Sequence, residues 1–449
     1  MANDKRIGGA LATAAFGLLG VAAPARTPAA EPGPNATEGN WDVDTAFLYY
    51  GESDGRVQDA SLNAIAVRDF GDEHRLSLDL GIDTLTGASP SGAIAATRPQ
   101  TFTSPSGRST YTTPAGDIPL DSSFHDTRFA LNAAWSQPLA RLYTINAGLG
   151  VSSEYDYQHL GVNAGLTRDF NQRNTTLSFA IAYGQDEVKP VGGVPLPFST
   201  MGDAVGEGQD DAGQINRSGD SENKKVLDVL LGFTQVLGRH SLLRVNCSYS
   251  DSSGYLTDPY KILSVVDPAT GEPVLRTPPP GVEGPDGIYL FEHRPDSRKR
   301  QSVYGELRQD FAGKVLSLGY RYSTDDWEID SHTLEGRFRF PLGESSYLEP
   351  HVRYYTQSAA DFYRYSLAEE APLPEFASAD ARLADLDAYT VGVKYGRQTS
   401  GGNEWSARLE FYHQTSKAPV DALIGNQPGN VQMPDFDAVI LQFGYHFSL

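Results

Sequence analysis

The chain has 449 residues and a formal charge of -21, with 45 Gly, 23 Tyr and 20 Phe against 3 Met and one Cys. Such acidity argues against nucleic acid as a partner, and a lone cysteine leaves no internal disulfide on which to build a fold. After the signal-like N-terminus no run of ~18 apolar residues exists, which excludes helical membrane spans but not strands, where only every second residue need be apolar.

Lys5 and Arg6 precede an apolar stretch from Ile7 to Ala23, and Ala23-Pro24-Ala25 offers small residues for cleavage. Residues 1–25 therefore read as a secretory signal peptide, and 26–40 as a short N-terminal segment. No Cys lies near the cleavage site, which argues against a lipid anchor. From Trp41 onward the chain shows period-two alternation, the mark of strands with two unlike faces. The predicted strands are 41–50, 57–70, 74–85, 125–137, 141–154, 157–170, 173–186 and 225–237, then 240–252, 299–311, 314–324, 328–341, 346–358, 386–398, 403–415 and 436–449.

The first strand sets Trp41, Val43, Phe47 and Tyr49 against Asp42 and Asp44. Later, Leu334, Phe338 and Phe340 alternate with Glu335, Arg337 and Arg339, and Trp405, Leu409 and Phe411 with Arg408, Glu410 and Tyr412. A charged face cannot meet hydrocarbon, so it must line a watery or plugged lumen. That face mixes Arg244, Arg308, Arg321, Arg353 and Lys394 with Asp79, Asp228, Glu306 and Glu349, and the mixture predicts no strong ion selectivity. Cys247 shares a phase with Leu243, Val245 and Tyr249 and reads as a wall residue.

The connections test this reading independently. After every even-numbered strand the link is short and polar, as at Gly71-Asp72-Glu73, Asn171-Gln172, Gly238-Arg239 and Ala312-Gly313. The long links, near 86–124, 187–224, 253–298, 359–385 and 416–435, all follow odd-numbered strands. Short turns on one side and long loops on the other is the plan of an outer-membrane barrel. The fold expected is thus all-β: one antiparallel transmembrane β-barrel domain over 41–449, in the outer membrane of a Gram-negative bacterium. Outer-membrane lipid and lipopolysaccharide are its surroundings. Acidic clusters at Asp203–Asp211 and Asp325-Asp326 face that surface, and solvated loop charge explains them more simply than a cation site, because no spaced calcium-loop pattern is present.

The link after the third strand reads Gly81-Ile82-Asp83-Thr84-Leu85-Thr86-Gly87-Ala88-Ser89-Pro90-Ser91-Gly92-Ala93, followed by Gln100-Thr101-Phe102-Thr103-Ser104-Pro105-Ser106-Gly107. With Trp41 to Tyr50, Glu52 and Ser153-Glu154-Tyr155-Asp156-Tyr157, it resembles a family of uncharacterised outer-membrane barrels grouped only as a domain of unknown function. The resemblance covers nearly all of the chain after the signal peptide and brings no established activity. It implies an association with an exported flavin transferase and thioredoxin-like proteins. Within this link, Asp83-x-x-Thr86-Gly87-Ala88-Ser89 looks like the acceptor sequence of periplasmic flavin transferases. That likeness implies covalent FMN on Ser89, with Asp83, Thr86, Gly87 and Ala88 as the recognised residues. Gly87 allows close backbone approach and a small hydroxyl can accept a phosphoester. The pattern departs in having Ser for the usual Thr, followed by Pro90. Read without the likeness, Asp83 points inward on its strand and Thr86 to Gly92 is the turn leaving the rim. By parity the loop lies on the outer side, whereas transfer is periplasmic; modification before barrel insertion, or a loop folded into the lumen, reconciles the two.

Other chemistry is sparse. The nine histidines are scattered, with no His pair at metal-ligand spacing. No Gly-x-Ser-x-Gly elbow and no phosphate-cradling P-loop occur, so no enzyme is expected. The last residues, Gln442-Phe443-Gly444-Tyr445-His446-Phe447-Ser448-Leu449, resemble the terminal signal read by the barrel assembly machinery, with Leu449 in place of the commoner Phe. Two functions stand open: a pore or conduit for small polar solutes, or a flavinylated barrel in electron transfer across the outer membrane.

Overall fold

The computed structural model describes residues 40–104, 109–202, 216–219, 221–276 and 284–449, without the side chains of 122–124. The expected signal peptide, nearly all of the segment 26–40 and the stretch Asp203–Asp211 lie outside the described residues.

Sixteen strands form one closed antiparallel barrel. They are β1 Trp41–Glu52, β2 Gln58–Asp69, β3 Arg75–Pro90, β4 Leu120–Ala140, β5 Tyr143–Ser153, β6 Tyr157–Phe170, β7 Thr175–Val188 and β8 Glu222–Gly238. The circle continues with β9 Ser241–Gly254, β10 Ser297–Phe311, β11 Lys314–Asp325, β12 Asp330–Leu342, β13 Ser346–Gln357, β14 Asp385–Gln398, β15 Glu404–Lys417 and β16 Phe436–Ser448. Each pairs with its neighbour in sequence, and β16 closes on β1 in a register running from Asp42↔Ser448 to Glu52↔Ala438. Trp41 and Leu449 extend that seam by exchanging backbone hydrogen bonds of 3.1 and 2.8 Å.

Closure leaves no unpaired edge, so the backbone can sit in hydrocarbon. The alternation then places Phe47, Leu62, Leu80, Phe129, Leu149, Val162, Phe179, Leu231, Leu334, Val391, Phe411 and Phe443 outward, each at least 40% exposed, as one apolar belt. Cys247 is also exposed, on the same side of β9. At the short-turn end Arg68 stacks on Trp41 and Phe70, and Arg168 on Tyr143 and Phe170, so each cation is held at the interface by its rings. A closed barrel wearing this belt is an outer-membrane protein of a Gram-negative bacterium, with its short turns periplasmic.

The apolar core sits where water is excluded by the loops, at the outer mouth. Three clusters built largely from the links form there, above a fourth of Tyr50, Phe436 and Ala438 on the wall. Trp327, Phe362, Tyr363, Ile94, Leu256 and Leu383 belong to the first, Phe102, Tyr289, Ile262 and Phe291 to the second, and Leu263, Val265, Leu290 and Leu367 to the third. Phe102 and Tyr289 meet at 4.5 Å between ring centroids, and Trp327 meets Phe362 edge-on at 5.0 Å. Small sheets brace the loops: Ile262–Val266 lies between Tyr289–Phe291 and Leu367–Ala368, and Gln100–Thr103 pairs with Thr110–Thr113. The wall faces lipid and gains nothing by hiding its apolar face, whereas loops in water do gain by it.

Candidate functional site

The expected acceptor motif lies on β3, which runs five residues further than the alternation suggests and carries Thr86 to Pro90 as strand, not as an exit turn. Asp83 points inward, is 3% exposed, and accepts from Arg128 Nε at 2.8 Å and Nη2 at 2.5 Å across the β3–β4 pair. Thr86 is exposed and pairs with Gln58 and His125. Gly87 has a φ of +119° at a bulge, and a Cβ there would lie 2.3 Å from the carbonyl oxygen of Arg56. Glycine is required by that backbone crossing, with Ala88 bridged to Arg56 on the same edge. Ser89 stands opposite Asp121 beyond the bulge, and its Oγ accepts from Lys261 Nζ at 3.4 Å, while Lys261 also donates to the Pro90 carbonyl. Arg56, Asp258, Asp380 and Arg382 line the same cleft. The structure thus separates Asp83, bonded in the lumen, from Ser89 at the outer rim.

Behind Ser89 two of the long links, 255–296 and 358–384, are locked together by buried charge. Arg294 Nε meets Glu292 Oε1 at 2.5 Å and its Nη2 meets Asp380 Oδ2 at 2.7 Å; Arg382 Nη2 meets Asp258 Oδ2 at 2.6 Å. Asp258 N–H donates to Glu292 at 2.7 Å, and the Ser378 hydroxyl donates to the other Glu292 oxygen. Burial alone would raise the Asp380 carboxyl, but Arg382 and Arg294 flank it and hold it well below the usual carboxylate range. Burial pushes Glu292 up, against the pull of Arg294. Opposite charges stand two residues apart in both pairs, Glu292 with Arg294 on extended chain and Asp380, capping a short 3-10 turn, with Arg382 inside that turn. That spacing was the available sequence signal.

Two further clusters sit under the rim. Asp186, 0% exposed, takes His159 Nδ1 at 2.6 Å on one oxygen and Lys224 Nζ at 3.2 Å on the other, tying β6, β7 and β8 together. Beside it, ligand oxygens of Asp126, Glu154 and Asp156 lie within 4.8 Å of one another, the one group among the described residues with the composition to hold a metal ion. Burial and then the Asp126 carboxylate push Glu154 up to about 8, with Arg128 opposing. The hydroxyl of Tyr260 donates to Asp156, so this rim cluster is also pinned to the 255–296 link.

The lumen itself is graded. Inward residues near the outer end, such as Tyr50, Asp59, Asp83, His159, Val226 and Ala438, are buried beneath the loops. Nearer the periplasm, Asp44 and Arg337 are exposed, and Asp69, Arg244 and Lys394 are partly so. The charged lining is therefore wet from below and covered from above.

The profile of a family described as "Protein of unknown function (DUF3570)" matches residues 8–447. No curated protein matches the chain in sequence. Among solved structures the chain is similar to the siderophore receptor PirA from Acinetobacter baumannii, with a TM-score of 0.41 and 10% identity over 85% of this chain and 53% of that one. It is similar also to a mutant of the ferric enterobactin receptor PfeA from Pseudomonas aeruginosa, at 0.42 and 9% over 84% and 54%. A third likeness is to OccK5 (OpdH) from Pseudomonas aeruginosa, at 0.41 and 10% over 92% and 98%. The chain spans about half the length of the two receptors.

Proposed function

We propose that this chain, which belongs to the DUF3570 family, is a conduit for small polar solutes through the outer membrane, closed at its outer mouth by its own loops and not an enzyme. The observation that supports it most is the graded lumen, with charged inward residues open to water on the periplasmic side and covered on the outer side. A barrel of about this size encloses an aqueous channel unless something fills it. Here the filling consists of loops held by non-covalent locks, which can part. Proteoliposome swelling tests the reading: slow uptake of small sugars is expected, and faster uptake once protease has trimmed the outer loops. A barrel that inserts and passes nothing even when trimmed contradicts it.

A second reading, FMN esterified through its phosphate to Ser89 in trans-membrane electron transfer, draws on a separate observation. The Ser89 hydroxyl meets Lys261 Nζ in a cleft that Arg56 and Arg382 also line, where a phosphodiester would meet cations already shared with Glu52, Asp258 and Asp380. Ser89 is part-buried at the outer rim of the closed barrel, so the exported flavin transferase would have to act before assembly. Thioredoxin-like proteins would be its redox company. Intact mass decides: a flavin adduct should vanish in Ser89→Ala and survive Ser91→Ala. An unmodified protein from cells that possess the transferase contradicts this reading.

A further inference from the structure

Charges on the inner wall differ from one arc to the other. β1, β2 and β3 present Asp44, Asp69, Asp79 and Asp83, whereas β10 to β13 present Arg300, Arg321, Arg337 and Arg353 interleaved with Glu306, Asp325, Glu335 and Glu349. The inward direction of these arginines follows from register, since their strand neighbours Val303, Tyr320, Leu334 and Val352 form part of the exposed outer belt. Arg321 is exposed, and so is 43% of the Arg337 side chain, although neither touches lipid. They face the water of the lumen.

Three carboxylates of this arc are engaged in ion pairs, among them Glu306 with Arg244 and Arg308. Glu335 meets Arg337 at 2.5 Å and His351 Nε2 at 3.2 Å, and Asp325 meets Arg298 at 2.5 Å with Arg300 further off at 3.7 Å. Among the described residues, Arg321 and Arg353 have no carboxylate oxygen within the 4.0 Å of an ion pair. Arg321 is held by stacking, its guanidinium 5.2 Å from the centroid of the Tyr304 ring, which orients the cation without neutralising it. It also lies in the field of Arg353 and Arg300, which the Glu335 carboxylate, directly across from Arg353 on β12, opposes. Arg321 pairs with Thr333, which pairs with Tyr355, and Arg353 follows two residues below on β13. The two backbones are therefore roughly 12 Å apart, two strand spacings across and two residues along, in one layer of the lumen.

Like charges gathered on one sheet face cost stability, and the cost grows beside a low-dielectric wall. A doubly charged oxyanion between them offsets it, and the planar fork of arginine matches carboxylate and phosphate oxygens alike. We propose that Arg321 and Arg353, with Arg300 and Arg337 at the margin, form an anion-binding station in the lumen for a small dianionic solute, a dicarboxylate or a phosphate. The acidic arc of β1 to β3 repels the same solute from the other strands, so its path follows one side of the lumen. This names the solute class of the conduit and rests on that reading for the route of entry.

The test is calorimetric titration of the full-length barrel in detergent at low ionic strength, with sodium succinate and, separately, sodium phosphate. Saturable binding of at least one is expected, and whichever binds more tightly tells carboxylate from phosphate. The Arg321→Gln/Arg353→Gln variant should weaken binding at least tenfold, and the Arg321→Lys/Arg353→Lys variant less, because it keeps the charges and loses the forks. Arg173→Gln, in a periplasmic turn, should leave binding unchanged. Each variant is first shown to be folded by the heat-dependent gel migration of a closed barrel. No saturable binding of either anion, or binding that survives the double glutamine variant, overturns the proposal. The conduit reading fails differently, as a barrel that binds the anion and never passes solute.

Discussion

Replacing Arg294 by Ala should unlock the outer mouth while leaving the wall intact. Arg294 is 2% exposed and joins Glu292 in its own loop to Asp380 in the next, at 2.5 and 2.7 Å. Asp380 keeps Arg382 after the change, so Glu292 becomes the orphan, buried at 1% exposure with only the Ser378 hydroxyl and the Asp258 N–H as donors. Breaking one side of a buried ion pair costs about 3–5 kcal/mol. At ~1.4 kcal/mol per tenfold, the lower figure multiplies the population of parted loops by about a hundred. The cost depends on pH in a definite sense. Glu292 is already raised by burial, so the closed state holds its proton more tightly than the parted state does, and closure weakens as pH rises above the ordinary carboxylate range. The Arg294→Ala defect should therefore be smallest near the ordinary carboxylate value and grow as pH rises. Limited proteolysis of the 358–384 link reads the parted state, and planar-bilayer recording reads its conductance. The doubly neutral variant Glu292→Gln/Arg294→Met should recover most of the closure, because the buried charges that remain, Asp258 and Asp380, keep Arg382. If Arg294→Ala keeps wild-type protection and silence at pH 8, the buried charges do not hold the loops.

Other expectations concern the rim. Gly87→Ala puts a Cβ 2.3 Å from a backbone oxygen at a φ of +119°, and should cost about 2–3 kcal/mol, seen as a lower temperature of barrel unfolding on gels. Glu154, pushed up to about 8 by burial and Asp126, holds a proton in the folded state that the unfolded chain releases above its ordinary 4.5. Stability should thus fall between those two pH values and level off above them, by at most about 3–5 kcal/mol, and Glu154→Gln should flatten that slope in pH-dependent melting. Lys224→Met takes from the fully buried Asp186 its lysine counter-ion, and should destabilise by about 3–5 kcal/mol; an unchanged melting temperature would show that Lys224 is not its counter-ion.

The wall was legible because a strand between lipid and water must alternate, and each strand does so on its own residues. Trp41 to Glu52 and Phe436 to Ser448 needed no partner to be read, and their register follows from alternation and closure. Strand ends were less legible. β3 and β4 continue past the membrane into the loops, where Gly87 and Ser89 to Pro90 look like turn chemistry yet pair with Leu120 to Phe124. The plug was hidden because its core is pooled. Trp327, Phe362, Ile94 and Leu256 come from four links, and the short apolar runs within them, such as Ile262–Val266, carry no sign of which other link they meet. Gly87 shows how a local motif misleads: its glycine serves the crossing at Arg56, a contact with a distant part of the sequence. The lining charges were visible singly, but their division into an acidic and a basic arc required knowing which strands sit side by side.

Closure of a conductive barrel by its own loops is tested most directly by single-channel recording of the intact chain beside one in which residues 361–382 are replaced by a short Gly-Ser link. The intact barrel should insert and remain largely silent with rare openings, and the shortened one should pass a steady ionic current. A shortened barrel that inserts and stays silent, or an intact barrel that is open throughout, contradicts the account.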